Sequence, residues 1–318
     1  MSMSRIVLCW SFIAAMLPGQ QGLHAQNYPN KPIRILCIGP GGSSDFTARL
    51  IAPGISGPLG QNVIVDNRGG LLAMEDVAKA MPDGYTLLLA GGNFWTAPLI
   101  QNTSYDPERD YAAVALVTTS PALLVVHPEM PVKSVKDLIA LAKARPGELN
   151  YSSATTGGAS HLSAELFNYL AHTKIVRIPY KNTGQSITDL IGGHVQLTFA
   201  QTSAVEQYVK SGRLKALAVT SAQPSALAPG LPTVAASLPG YESVNFLGVF
   251  APANTPTTII NKLNQEIVRF IARPEVRDKF WNTGVETVGS SPDALATAVT
   301  SDMARLSKVI KSLNIKAD

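Results

Sequence analysis

Cysteine is the scarcest chemistry-bearing residue in this chain. Of the two present, Cys9 lies in an apolar N-terminal stretch and Cys37 stands alone after it, so a chain that has lost that stretch has no disulfide to form. The five histidines, at 24, 127, 161, 172 and 194, lack the paired spacing of zinc sites, and no metal centre is expected. Charge is sparse as well: 15% of residues are Asp, Glu, Lys or Arg, and the basic ones are scattered, without interleaved aromatics. That pattern argues against a nucleic-acid surface. Gly39-Pro40-Gly41-Gly42 lacks both the lysine of a P-loop and the third glycine of a dinucleotide fingerprint, so no nucleotide and no other cofactor is expected.

Long apolar runs are missing too. Ile6 to Leu17 is too short to span a bilayer, and no later segment approaches the length of a membrane span. With Arg5 before it and Leu23-His24-Ala25 after it, the run reads as the core of a signal peptide covering residues 1–25, cleaved near Ala25 to leave Gln26 first. Cys9 is not preceded by the small residues of a lipid-anchor site. Loss of Arg5 lowers the formal net charge from +4 to +3, a mild basicity that suits a small anionic ligand. The expectation is a soluble, exported protein of the periplasm.

What the chain does contain is apolar mass and glycine. At 318 residues and 46% hydrophobic it exceeds one ordinary core, and strand patterns alternate with helix patterns throughout. Strands are expected at Ile33–Ile38, Asn62–Asp66, Tyr85–Ala90, Val114–Thr118 and Leu123–Val126, with Ser120-Pro121 breaking the last two at a crossover between domains. Helices are expected from Asp45 to about Ile55, from Ser134 to Ala144, and over Pro256–Ile271, where Ile259, Ile260, Leu263, Ile267 and Phe270 share a side. The fold class is α/β with two domains of parallel βαβ units: 26–120 with about 235–318 as the first, 121–234 as the second. The proline-rich stretch from Gln223 to Gly240 is expected to return the chain to the first domain.

Two glycine-rich turns stand out. Pro40-Gly41-Gly42-Ser43-Ser44-Asp45 joins the strand Ile33–Ile38 to a helix; Ala154 to Ser160 does the same between Asn150–Ser153 and the helix pattern from His161. The first N–H groups of a helix have no intrahelical partner and carry the positive end of its dipole, and glycine lets a ligand approach the main chain. Two such loops facing each other would clamp a carboxylate. A tight turn alone also requires glycine, and an acidic residue such as Asp45 in a first helical turn is favourable with no ligand.

Tyr28-Pro29-Asn30-Lys31-Pro32-Ile33-Arg34, the loop Pro40–Asp45, Asp66-Asn67-Arg68, Pro82-Asp83-Gly84-Tyr85-Thr86-Leu87-Leu88, Ile178-Pro179-Tyr180-Lys181, Leu217-Ala218-Val219-Thr220-Ser221 and Phe250-Ala251-Pro252-Ala253-Asn254-Thr255-Pro256 occur in this order. Together they resemble the Bug family, the periplasmic substrate-binding receptors of tripartite tricarboxylate transporters. The resemblance spans Tyr28 to the last helix. It implies a periplasmic-binding-protein-like fold of type II with a hinged cleft, a small carboxylate ligand, a membrane permease as partner, and a monomer. Carried over by position, the ligand-binding residues are Gly41, Gly42, Ser43, Ser44 and Asp45, then Ser153, Thr155, Thr156, Gly157 and Gly158.

Several positions depart from the family pattern. Cys37-Ile38 replaces a proline and an aromatic, Thr155-Thr156-Gly157-Gly158 replaces glycine-x-glycine-threonine, Gly69-Gly70-Leu71-Leu72-Ala73 is a shortened loop, and Ala200 takes the place of an acidic residue. Asn93, Phe94 and Trp95 follow Leu87–Leu89 at the end where α/β sheets place ligands, and an aromatic there, Phe94 first, could replace the one missing at Ile38. His161 could donate to an anion, or face solvent. Tyr180 could line the cleft, or pack at a domain edge. Two other functions fit the same residues: a ligand sensor feeding a signalling partner, and an exported hydrolase using Ser160 beside His161, although no glycine-x-serine-x-glycine elbow is present and neighbours in sequence need not meet.

Overall fold

The computed structural model describes residues 28–154 and 156–316, so the expected signal segment and Thr155 lie outside the described residues. The first half opens with β1 (Ile33–Ile38), whose Ile33, Ile35, Leu36 and Cys37 are all buried. Apolar side chains on both faces belong to a parallel strand covered by helices above and below. The chain continues through α1 (Ser43–Leu59), β2 (Val63–Arg68), α2 (Leu72–Ala78), β3 (Thr86–Ala90) and α3 (Gly92–Ile100). β2 and β3 flank β1 and run parallel to it.

α1 extends past the expected stop near Ile55, through Pro53 and Pro58. A proline inside a helix costs about 3 kcal/mol, and burying one Ile or Leu side chain stabilises by about 1.5–3 kcal/mol. Ile51, Ile55 and Leu59 are all buried, so tertiary packing outweighs the local break.

β4 (Tyr111–Val126) is one continuous strand, where two strands separated by Ser120-Pro121 were expected. Residues Tyr111 to Pro121 pair with the later β9 (Val244–Pro252). Ala122 to Val126 pair with β7 (Leu197–Gln201) on one side and, from Leu123, with β8 (Lys215–Val219) on the other. Pro121 sits where β4 changes partners, and a strand can spare an N–H donor there.

The second half comprises α4 (Val135–Ala144), β5 (Asn150–Ser153), α5 (Ala159–Ala171), β6 (Val176–Pro179), α6 (Thr183–Ile191), β7, α7 (Thr202–Lys210) and β8. β5 runs parallel to both β6 and β7. The return to the first half comes later than about residue 235: Val234, Leu238 and Tyr241 share a core with Phe167 and Phe199, and pairing with β4 starts at Val244. α8 (Thr257–Ile271), α9 (Pro274–Trp281), β10 (Glu286–Thr287) and α10 (Pro292–Leu313) complete the molecule. Ile259, Ile260, Leu263, Ile267 and Phe270 of α8 enter the first-half core, the side that the spacing predicts. Leu306 and Ile310 of α10 cluster with Leu162 of α5 and with Leu99 and Ile100 of α3, tying the halves together beside the cleft.

Candidate functional site

β1, β3, β5 and β6 each end in a short turn that feeds a helix, β7 runs directly into α7, and the starts of all five helices line one cavity of about 530 Å³. Small-molecule sites run from about 300 to 1,000 Å³, so this space suits a metabolite. Crevices outside the carboxyl ends of strands are where open α/β sheets place ligands. Four of the five helices, with N-cap residues Gly42, Gly91, Gly158 and Gln201, have no side-chain cap; only Asn182 of α6 accepts a hydrogen bond, from the Gln185 N–H at 2.9 Å. The first bond of α1 runs from the Phe46 N–H to the Gly42 carbonyl, and that of α5 from the Leu162 N–H to the Gly158 carbonyl. The N–H groups ahead of these bonds have no partner within the helix. The cavity wall is therefore rich in main-chain donors and in the positive ends of helix dipoles.

The two loops singled out in the sequence are built alike. Gly41, with φ of 81°, donates its N–H to Asp45 Oδ2 at 2.9 Å; Gly157, with φ of 72°, donates to His161 Nδ1 at 2.9 Å. In both loops a left-handed glycine precedes a glycine N-cap and is anchored by the third residue of the helix. Asp45 is fixed further by Asn67 Nδ2 at 2.9 Å and Arg49 Nε at 2.8 Å. The Gly41 N–H, aided by Asn67 and Arg49 against the opposing effect of burial, holds the Asp45 carboxyl below the usual range. On the other side Arg177 girds the second loop, donating from Nε to Ser153 Oγ at 2.7 Å, from Nη1 to Thr156 Oγ1 at 2.7 Å and from Nη2 to the Ala154 carbonyl at 3.2 Å. These bonds preorganise the donors before any ligand arrives.

Among the described residues, no lysine, arginine or histidine lines the cavity, and Asp302 is its one ionisable side chain. Asp302 accepts from the Trp95 indole Nε1 at 2.7 Å and pairs with Arg305. The donors that line it are hydroxyls, the amides of Asn93, Gln201 and Asn245, and main-chain N–H groups at helix starts.

A model of the tripartite tricarboxylate transporter family receptor matches residues 47–315. The chain belongs to that family of receptors. Protein BugT of Bordetella pertussis is 33% identical to it over 327 residues, covering 99% of each chain. A Rhodopseudomonas palustris structure, Rpa4515 with adipate, aligns with a TM-score of 0.72 at 34% identity over 91% of this chain and 99% of that one. MatC of the same organism, with bound malate, aligns with a TM-score of 0.70 at 28% identity over 89% and 100% of the two chains. The two-domain α/β fold of periplasmic solute-binding proteins is thereby this receptor's fold, and its family is one of receptors rather than enzymes.

Within this receptor, Gly42, Ser43, Ser44, Asn93, Gly157 and Gly158 meet at the cavity. Gly41 lies on an adjoining cavity of about 290 Å³, beside Phe46 and Phe280. Asp45 is buried with its carboxylate turned back onto the loop, and Ser153 and Thr156 face Arg177, so all three support the walls rather than form them. Thr155 lies outside the described residues. His161 is buried, with Nδ1 spent on Gly157 and its ring stacked on Tyr151. Tyr180 donates to Asp189 Oδ2 at 2.9 Å, and its pKa is pushed up to about 12 by burial and by that bond.

Phe94 does not face the cleft. Its side chain is fully buried among Tyr105, Tyr111 and Phe250, because the segment after β3 is the helix α3 and not an extended end. The helical turn presents Trp95 to the cavity instead, stacked on Phe246 with centroids 4.5 Å apart. Cys37 is likewise buried, touched by Asn67 Nδ2 at 3.2 Å, its pKa pushed up to about 11 chiefly by burial. Ile38, its neighbour, lines the cavity, as does Ala200.

Sequence reasoning missed Gly91, Gly92, Gln201, Asn245 and Asp302 on the wall, while Trp95 lies where it expected an aromatic. Gly91-Gly92 carried a usable signal, since it repeats the strand, glycine pair, helix pattern of Gly41-Gly42. Asp302 carried none: it is an ordinary acidic residue within a long amphipathic helix.

Proposed function

We propose that this receptor is exported after cleavage near Ala25, captures a small carboxylate-bearing metabolite in the periplasm as a monomer, and delivers it to the membrane permease of a tripartite tricarboxylate-type transporter. The observation that carries the reading is that two uncapped helix starts, α1 behind Gly42 and α5 behind Gly158, line one cavity with no cation among its described residues. A carboxylate between them takes N–H and hydroxyl donors from Gly42, Ser43 and Ser44 on one side and from Gly158 and Ser160 on the other, with Asn93 at the rim. Gly41, Asp45, Ser153, Thr156, Gly157, His161 and Arg177 fix those donors from behind. Domain closure about β4 and β9 expels water and strengthens each bond by lowering the local dielectric. Adipate and malate in the related structures support a carboxylate-bearing ligand.

A thermal-shift screen of residues 26–318 against a panel of carboxylates and neutral sugars tests this reading. A ligand present at a hundred times its Kd adds about 2.7 kcal/mol of stability. Carboxylates raising Tm support the reading, and a melt moved only by a neutral sugar contradicts it.

A further inference from the structure

Resting on that reading, we propose that the ligand carries one carboxylate and that its far end is a hydrogen-bond donor, a hydroxyl or an ammonium, received by Asp302. The carboxylate sites at the starts of α1 and α5 belong to loops joined to β1 and β5, whereas Asp302 comes from α10, which packs against α3, α5 and β4. The cleft wall thus combines a donor-rich part with one carboxylate, the single charged acceptor among its described residues. Asp302 is buried, and both its oxygens are oriented: Oδ2 takes the Trp95 indole at 2.7 Å and Oδ1 takes an Arg305 nitrogen.

Arg305 does not make this part of the wall cationic. It is shared with Glu242 at 3.1 Å, so two carboxylates surround one guanidinium and the cluster carries a net charge of −1. Arg305 also stays behind the wall while Asp302 forms part of it. With no lysine, arginine or histidine on the lining of the described residues, nothing there neutralises a second ligand carboxylate. A like charge brought into a partly desolvated site is disfavoured, whereas an ammonium or hydroxyl gains a charge-assisted hydrogen bond. Asp302 is therefore a specificity-determining residue that separates monocarboxylates with a donor tail from dicarboxylates.

Calorimetric titration of residues 26–318 with matched pairs decides the matter: succinate against 4-hydroxybutanoate and 4-aminobutanoate, adipate against 6-hydroxyhexanoate and 6-aminohexanoate. The donor-tailed member of a pair is expected to bind at least about tenfold tighter than its dicarboxylate, a difference of about 1.4 kcal/mol. Asp302→Asn, which keeps an oxygen for the Trp95 indole, is expected to narrow or reverse that preference. Glu242→Gln lowers the same negative charge without altering the wall, and is expected to shift the preference the same way by a smaller factor. Dicarboxylates binding tighter to the unaltered chain, or a preference that neither variant moves, overturns the assignment of Asp302 while leaving the receptor reading intact. Binding by none of the carboxylates overturns both.

Discussion

Gly157 donates its N–H to Nδ1 of His161 over 2.9 Å, four residues ahead in the chain, and thereby closes a loop of the same design as the one Gly41 closes on Asp45. The two anchors differ in chemistry but do one job. Each pins a left-handed glycine so that the next glycine caps a helix whose start lines the cavity. The cleft reads as two copies of one device, one from each half of the molecule.

The two glycines should respond differently to a methyl group. A Cβ on Gly41 meets nothing within 4 Å, whereas one on Gly157 would lie 2.6 Å from Ile100 Cδ1. Gly41→Ala is expected to cost only the left-handed strain, about 1–2 kcal/mol. Gly157→Ala carries that strain plus a clash with α3, and a shorter side chain in the double variant with Ile100→Val should recover part of the loss. Urea unfolding of the unaltered chain, the three single variants and the double variant measures the coupling; a coupling of zero between Gly157→Ala and Ile100→Val would refute the clash.

Asp45 ties loop stability to pH. Its carboxyl titrates below its ordinary value near 3.9 because the Gly41 N–H, Asn67 and Arg49 favour the charged form. A depressed folded-state value contributes stability that is fully present above the unfolded value and is lost as pH falls through the folded one. The stability gap between the unaltered chain and Asp45→Asn should therefore be constant from neutral pH down to about 5 and shrink below about 4. A gap that does not change on acidification would show that the carboxylate anchors nothing.

Arg177 should matter to affinity more than to folding. Its three bonds to Ser153, Ala154 and Thr156 use the planar fork, which lysine cannot reproduce. Arg177→Lys is expected to weaken carboxylate binding about tenfold, equivalent to about 1.4 kcal/mol, with a smaller effect on Tm. Titration calorimetry beside a melting curve separates the two.

Of the two aromatics that follow β3, Phe94 belongs to the core and Trp95 to the cavity wall. Phe94→Ala should cost about 3–5 kcal/mol of stability, as a core aromatic does, and the milder Phe94→Leu should leave affinity within about threefold of the unaltered value. Trp95→Phe removes the indole donor to Asp302 at the cavity wall and should change affinity with a modest loss of stability. Kd and Tm measured on both variants distinguish wall from core.

The elements that were legible were those with strong local periodicity. The side of α8 marked by Ile259, Leu263 and Ile267, and the apolar runs of β1 and β3, follow directly from burial on one or both faces. The two glycine-rich loops were legible as strand-to-helix turns because a glycine pair between an apolar run and a helical pattern marks a tight turn. Long-range effects were not: the extension of α1 through Pro53 depends on the core that receives Ile55, and the continuity of β4 through Pro121 depends on its exchange of partners. Helix α3 was hidden because Gly92-Asn93 and Pro98 are poor helix formers, yet Trp95 and Ala97 are buried by neighbours distant in sequence. The roles of Arg177 and Asp302 rest on partners up to 207 residues away, as Trp95 and Asp302 are, and no local pattern announces such pairs.

The central claim is that backbone N–H groups at two opposed helix starts hold a carboxylate. Amide NMR spectra of the isotope-labelled chain, titrated in parallel with butanoate and with butanamide, test it most directly. The account predicts that butanoate shifts the amide resonances of Gly42, Ser43, Ser44, Gly158, Ala159 and Ser160 together, while butanamide at equal concentration leaves them in place. Shifts of equal size with both compounds, or butanoate shifts confined to residues outside these two loops, would contradict it.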